Sequence, residues 1–196
     1  AVGSLRCTFD GETLTAVESG NELRNTAGRG LLEPTVTRLE GRFYMTIRAE
    51  DDRGYVATSE DGLQWEPQRP WTWDDGEPLS MSTTQQRWLT HSVGLYLVYT
   101  RKADHNADVI RWRAPLYLAE VDTERLCLIR DTEQEVFPIS GDPENDPQHV
   151  ALLGNLMPVN VTVSESWVTV GENRSRDGFK GDTLLARIKW TRPNFE

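Results

Sequence analysis

The chain has 196 residues, with 31 acidic and 21 basic side chains, a formal charge of -10 and 37% apolar residues. That is one domain by length, or part of a larger one, with enough apolar content to bury a core. A pI near 4.8 argues against general nucleic-acid binding and against docking on anionic membranes, both of which need a basic footprint. No run approaches the ~18 apolar residues of a membrane span. Two cysteines, Cys7 and Cys127, are too few for a zinc cluster; they read either as one bridge or as two buried thiols. His91, His105 and His149 show neither H-x-x-x-H nor H-E-x-x-H spacing, so neither a metal site nor an organic cofactor is expected.

In chain order, short β-branched or aromatic runs alternate with Gly, Asp and Asn turns. Residues 5–9 turn at Asp10-Gly11 into 13–17. Residues 35–39 turn at Glu40-Gly41 into 42–48, and 54–58 turn at Asp61-Gly62 into 64–66. Residues 86–90 lead through Ser92 to Gly94 into 95–101, and 116–121 turn through Asp122 into 126–130. Residues 159–163 turn at Ser164-Glu165 into 167–171, and 183–190 close the pattern. Long helical periodicity is absent, so the pattern predicts an all-β protein of consecutive antiparallel hairpins.

The hairpins repeat. Residues 34–66, 85–129 and 157–190 share a strand, a tight turn, a second strand ending in a charged residue, a variable loop and a third strand. Gly41 precedes Arg48 by the same interval that separates Gly94 from Arg101, and Glu165 and Glu172 take those places in the third copy. Arg48, Arg101 and Glu172 are therefore predicted to be equivalent. A period of this kind marks β-propeller blades. The predicted organisation is one partial propeller over 1–196. Its blades fall near 5–30 (incomplete), 31–76, 77–138 and 150–196, about three and a half of the five or six of a complete protein.

Ser59-Glu60-Asp61-Gly62-Leu63-Gln64-Trp65 matches the Asp-box, S-x-D-G-x-x-W. In such a turn the Asp carboxylate accepts backbone N–H groups, Gly supplies a positive φ and Trp packs beneath. The roles expected of Ser59, Asp61, Gly62 and Trp65 are structural. Asp122-Thr123-Glu124-Arg125-Leu126 reads as a degenerate copy.

With Glu33-Pro34-Thr35-Val36, Gly41 through Arg48, and Arg113-Ala114-Pro115-Leu116, the sequence resembles the sialidase (neuraminidase) superfamily across residues 30–190. The resemblance implies a sialidase-type propeller of a secreted or periplasmic bacterial glycoside hydrolase. It implies that Arg48 and Arg113, with Arg111 as fallback, belong to an arginine set that holds a sugar carboxylate. A planar guanidinium suits that task because it pairs with a carboxylate bidentately. It implies that Glu33 is a general base or polarises a nucleophile. The family's tyrosine nucleophile falls in the stretch Leu153-Gly154-Asn155-Leu156-Met157, where Asn155 stands instead; the family's other acid and first arginine would lie upstream.

Taken without the resemblance, Glu33 is an extended residue before Pro34 and could be a solvated strand end. Arg48 could pair with nearby acids, and Arg111-Trp112-Arg113 could be a cation–π stack. His91, after a strand, is the candidate acid–base beside Glu33, or a satisfied turn residue. Arg101 and Asn155 join Arg48 and Arg113 as candidate substrate-binding residues. Tyr99 reads as core, and Trp71 and Trp73 as sugar-facing aromatics or a loop cover. The expected function is a sialidase-like exo-glycosidase acting on a terminal acidic sugar of glycans. The alternatives are a non-catalytic carbohydrate-binding propeller and a propeller polysaccharide lyase. The expected partners are a glycan, with no nucleic acid and no membrane span, and a homodimer or pairing with a missing N-terminal half that would cover an open edge.

Overall fold

In the computed structural model, which describes residues 1–194, the chain is all-β and its sheets are antiparallel. β1 (Leu5–Phe9) and β2 (Leu14–Ser19) form an exposed hairpin. β3 (Leu32–Leu39), β4 (Arg42–Arg48), β5 (Gly54–Ser59) and β6 (Arg69–Pro70) form a sheet in that order. β7 (Arg87–His91), β8 (Gly94–Tyr99), β9 (Leu116–Asp122) and β10 (Cys127–Leu128) form the next, and β11 (Gln134–Phe137) returns to pair with β9. β12 (Leu152–Thr162), β13 (Glu165–Asn173) and β14 (Thr183–Lys189) form the last.

Alternation along the middle strands explains how the sheets stack. Side chains of a strand point to opposite faces in turn. On β4, Met45 and Ile47 join a core with Leu31, Ala57 and Trp65, whereas Tyr44 joins Val56, Trp71 and Trp88 on the other face. On β8, Leu95, Leu97 and Tyr99 enter that second core, whereas Val98 faces a third with Leu89, Leu116, Val168 and Val170. Both middle sheets therefore bury both faces, so β4 is buried almost throughout. Trimming fully buried Leu97 to Ala costs about 2–5 kcal/mol, because the stacked sheets leave a cavity there.

The strand registers coincide across the sheets. Leu32 pairs with Arg48, Met81 with Arg101, and Leu153 with Glu172. Two first strands carry a bulge at that end. One lies between Leu32 and Thr35, with Glu33 at φ 46, and the other between Gly154 and Met157, with Asn155 at φ 53. A left-handed backbone is unfavourable for a residue with a Cβ, about 1–2 kcal/mol, and re-aims the side chain out of the pleat. The β12 bulge also lets that strand start at Leu152, earlier than the pattern of residues 159–163 predicts. β11 is a strand that the turn-and-run pattern missed; it is short and half polar.

The first strands β3, β7 and β12 run side by side and enclose a groove of about 360 Å³, lined by Thr35, Arg87, Met157 and Asn160 among others. Cys7 is exposed and Cys127 buried, and both thiols are free, so they form no bridge. No helix is long and apolar enough to cross a membrane among the described residues.

Candidate functional site

Arg48 ends β4, and its pairing with Leu32 brings it against the β3 bulge. Its guanidinium is buried, and Nη1 donates to Glu33 Oε2 at 2.6 Å. Its Nε donates to Thr83 Oγ1 at 3.2 Å. Glu33 itself remains partly open to solvent, with 39% of its side chain exposed.

The loop between β8 and β9 delivers two further arginines. Asn106 is fully buried at its base. Its Nδ2 donates to the Arg101 and Ala114 carbonyls at 2.9 Å, and its Oδ1 accepts the Ala103 N–H at 2.8 Å. Arg111 and Trp112 then take left-handed backbone, φ 57 and 50. Arg111 Nη2 donates to the Thr83 carbonyl at 2.9 Å. Arg113 is docked on β12, since its carbonyl accepts the Leu153 N–H at 2.9 Å. Its Nη1 lies 3.4 Å from where a Cβ on Gly154 would stand.

The electrostatics of Arg113 are unusual. Burial pushes its guanidinium below the ordinary arginine value, and the charges of Arg111 and Arg48 push the same way, against Glu33 alone. Its Nε is buried without a hydrogen-bond partner. Among the described residues no carboxylate stands within ion-pair distance of Arg111 or Arg113. Nearby, Arg29 donates from Nε and Nη2 to Glu50 Oε1 and from its backbone N–H to Oε2, holding that carboxyl at about 2, and Arg29 also feels the charge of Glu33. In a chain of net charge -10, this rim gathers four arginines with only two glutamates. Buried Arg48, half-buried Arg113 and exposed Arg111 around one half-open carboxylate form a place for an added anion. Four left-handed non-glycine residues, Glu33, Arg111, Trp112 and Asn155, surround it. Such strain concentrates at ligand clamps.

Glu33 and Gly154 lie at the starts of β3 and β12, and Thr83 stands shortly before β7, ahead of the residues of these three strands that line the groove. The arginine cluster therefore stands at one mouth of it. Asn155 is exposed on the β12 bulge next to Gly154.

Two expected site residues have other partners. Arg101 pairs bidentately with Glu133, at 2.8 Å from Nε and 2.6 Å from Nη2, and its Nη1 donates to the Lys102 carbonyl. Its guanidinium lies over the Trp73 and Tyr117 rings. The Glu133 hydrogen bond raises the Arg101 pKa, and its Nε–Nη2 edge is taken by that carboxylate. His91 is buried at the opposite, turn end of β7, where it pairs with Gly94. Its Nδ1 accepts the Val93 N–H at 3.3 Å, and its Nε2 donates to the Arg192 carbonyl at 3.1 Å. The ring packs on Trp190. Both nitrogens serve the backbone, at the end of β7 away from the arginines.

Trp71 and Trp73 are buried in the core between sheets rather than open to a sugar. Tyr99 is buried as well, and its hydroxyl donates to Glu133 at 2.6 Å. The Ser59–Trp65 turn is built as its sequence requires. Asp61 Oδ1 accepts the Leu63 and Gln64 N–H groups at 2.8 and 2.7 Å and the Ser59 hydroxyl at 2.9 Å. Gly62 has φ 75, and a Cβ there would meet the Phe43 ring. Trp65 is buried and donates from Nε1 to Ser4 Oγ at 2.9 Å. Asp122 Oδ1 accepts the Glu124 and Arg125 N–H groups in the same manner.

Thr83 and Asn106 are the site residues that sequence reasoning passed over. Asn106 lies in a polar stretch with no distinguishing signal, and its partners are set by the loop's path.

No family model and no curated protein matches the sequence. Among solved structures, the chain is similar to one described as Bacteroides ovatus Xyloglucan PUL GH43B, with 12% sequence identity and a TM-score of 0.50. The likeness covers 85% of this chain and 28% of that one, so the chain spans little more than a quarter of its neighbour's length. That neighbour is a glycoside hydrolase with a propeller fold. At this identity the likeness carries the fold, a propeller-like stack of antiparallel sheets.

Proposed function

We propose that this chain forms the carboxylate-holding part of a sialidase-like glycoside hydrolase, and that its ligand is a terminal acidic sugar. The sheets β3–β6, β7–β11 and β12–β14 are read as consecutive blades, with the β1–β2 hairpin as the outer part of another. The Ser59–Trp65 turn is read as an Asp-box that braces one of them.

One observation carries the proposal: Arg113 is half-buried, has an unpartnered buried Nε, and faces the cations Arg48 and Arg111. A buried cation among cations is costly unless an anion joins it. A planar, monovalent carboxylate matches the fork geometry of these side chains. The acidic sugar is favoured over other carboxylates by the glycoside hydrolase fold of the structural neighbour. Glu33 neutralises one of the three charges and orients Arg48, and the sugar carboxylate then bridges Arg113 and Arg111.

A second reading is favoured by Glu33 and Asn155 together. Glu33 is committed to Arg48 at 2.6 Å, and Asn155 stands where the resemblance puts a nucleophile. Both fit a carbohydrate-binding propeller that holds the acidic sugar without cleaving it.

Calorimetric titration with N-acetylneuraminic acid and D-glucuronic acid, beside hydrolysis assays on their aryl glycosides, tests both readings. Saturable binding that is lost in Arg113→Ala supports the proposal, and turnover then separates hydrolase from binding protein. Absence of binding to either acid by the wild-type chain overturns it.

A further inference from the structure

We propose that Thr83 is the positioning residue that fixes the spacing of Arg48 and Arg111, and so sets which anion the site accepts; this rests on the carboxylate-binding reading above. Thr83 hydrogen-bonds both arginines. Its hydroxyl accepts Arg48 Nε at 3.2 Å, and its carbonyl accepts Arg111 Nη2 at 2.9 Å. The two guanidinium groups come from different sheets, one from the end of β4 and one from the β8–β9 loop. Like charges repel, so nothing intrinsic keeps them at a set distance; a shared acceptor does.

The ledge that carries Thr83 is built for rigidity. The Thr84 N–H donates to the Ser82 carbonyl at 2.8 Å, which closes a γ-turn centred on Thr83. Ser82 and Thr84 turn inward and are buried, and their hydroxyls form a closed triad with that of buried Thr100. The preceding residues are tied on both sides. The Met81 N–H donates to the Asp52 carbonyl at 3.1 Å, the Ser82 N–H to the Thr100 carbonyl at 3.3 Å, and the Lys102 N–H to the Ser80 carbonyl at 2.9 Å. With its neighbours committed inward, Thr83 presents its hydroxyl and its carbonyl to the site. A buried polar triad of this kind specifies one arrangement because every member is satisfied by the others.

The Thr83 hydroxyl accepts the Arg48 Nε proton without adding a charge. Nη1 of Arg48 is left to Glu33, and the charges of Arg48 and Arg111 stay available to the bound carboxylate. An Asp or Glu at this position would neutralise the pair and cancel the anion site, which accounts for a hydroxyl here rather than an acid.

The test uses Thr83→Val, which keeps the shape and the carbonyl, and Thr83→Ser, which restores the hydroxyl. The first readout is the affinity for N-acetylneuraminic acid and D-glucuronic acid. Thr83→Val is expected to weaken it about tenfold and Thr83→Ser to recover it to within about twofold, with the unfolding midpoint nearly unchanged. The second readout needs no ligand: solvent exchange of the Arg48 Nε–H by NMR, expected to quicken about fivefold or more in Thr83→Val and not in Thr83→Ser. Unchanged exchange and unchanged affinity in Thr83→Val would overturn the assignment of Thr83. A wild-type protein that binds neither acid, with Arg48 exchange still Thr83-dependent, would overturn the carboxylate reading and the specificity role with it.

Discussion

Asn106 and Ala114 are joined by a hydrogen bond of 2.9 Å from the Asn106 carboxamide to the Ala114 carbonyl, and the same amide group reaches the Arg101 carbonyl. One buried side chain thus ties together the two ends of the loop that carries Arg111 and Arg113. Asn106→Ala strands three backbone groups and is expected to cost about 2–4 kcal/mol. Urea unfolding with and without an acidic sugar checks this, and the loss of sugar affinity should accompany the loss of stability. Asn106→Asp keeps the Ala103 contact but sets a buried carboxylate oxygen against two carbonyl oxygens, and should cost at least as much as Asn106→Ala.

Arg113 depends on the smallness of Gly154. A Cβ would meet Nη1 at 3.4 Å, so Gly154→Ala should be nearly tolerated, whereas Gly154→Val should push the guanidinium aside. The expected outcome is an acidic-sugar affinity within about threefold for the Ala variant and about tenfold or more weaker for the Val variant. Arg113→Lys should not rescue binding, because a point charge cannot reproduce the bidentate fork.

Much of this was legible in the sequence, and the reasons differ by residue. Glu33 and Arg48 were within reach because strand pairing brings them together across one hairpin, and the equal Gly41–Arg48 and Gly94–Arg101 intervals follow from the shared register. Local pattern also exposed the Asp61 turn, whose bonds lie within six residues. The partner of Arg101 was not legible: Glu133 lies beyond β9 and a short β10, and only the return strand β11 brings it back. The place of His91 was not legible because a strand's two ends look alike in sequence, and it stands at the turn end of β7, away from the arginines. Thr83 lay in a polar stretch that reads as a plain loop; its role comes from long-range contacts.

His91→Gln is a direct control on that placement. Acidic-sugar binding should be unchanged, because the imidazole serves only the Val93 and Arg192 backbone groups. Thermal stability should drop, because the packing on Trp190 is lost. Differential scanning calorimetry beside titration separates the two effects.

Acid sensitivity should trace to carboxylates that the fold holds ionised. Asp61 is shifted below its ordinary 3.8 by the Gln64 and Leu63 N–H groups, then by Ser59. Glu165 is held down to about 2 by Arg187 and then by Trp167. A carboxyl whose folded pKa is depressed stabilises the fold above its unfolded value and loses that contribution as pH falls through the folded one. Stability should therefore decline from about pH 4.5 to about pH 2, and Glu165→Gln and Asp61→Asn should flatten the decline. Thermal melts across that range provide the check.

The carboxylate requirement is best tested by titrating D-glucuronic acid beside its methyl ester, calorimetrically, against the wild-type chain and Arg113→Ala. The arginine site predicts that esterification weakens binding about tenfold or more. It also predicts that Arg113→Ala removes the difference between acid and ester, and that added salt weakens only the acid. Equal binding of acid and ester, or an undiminished preference for the acid in Arg113→Ala, would contradict it.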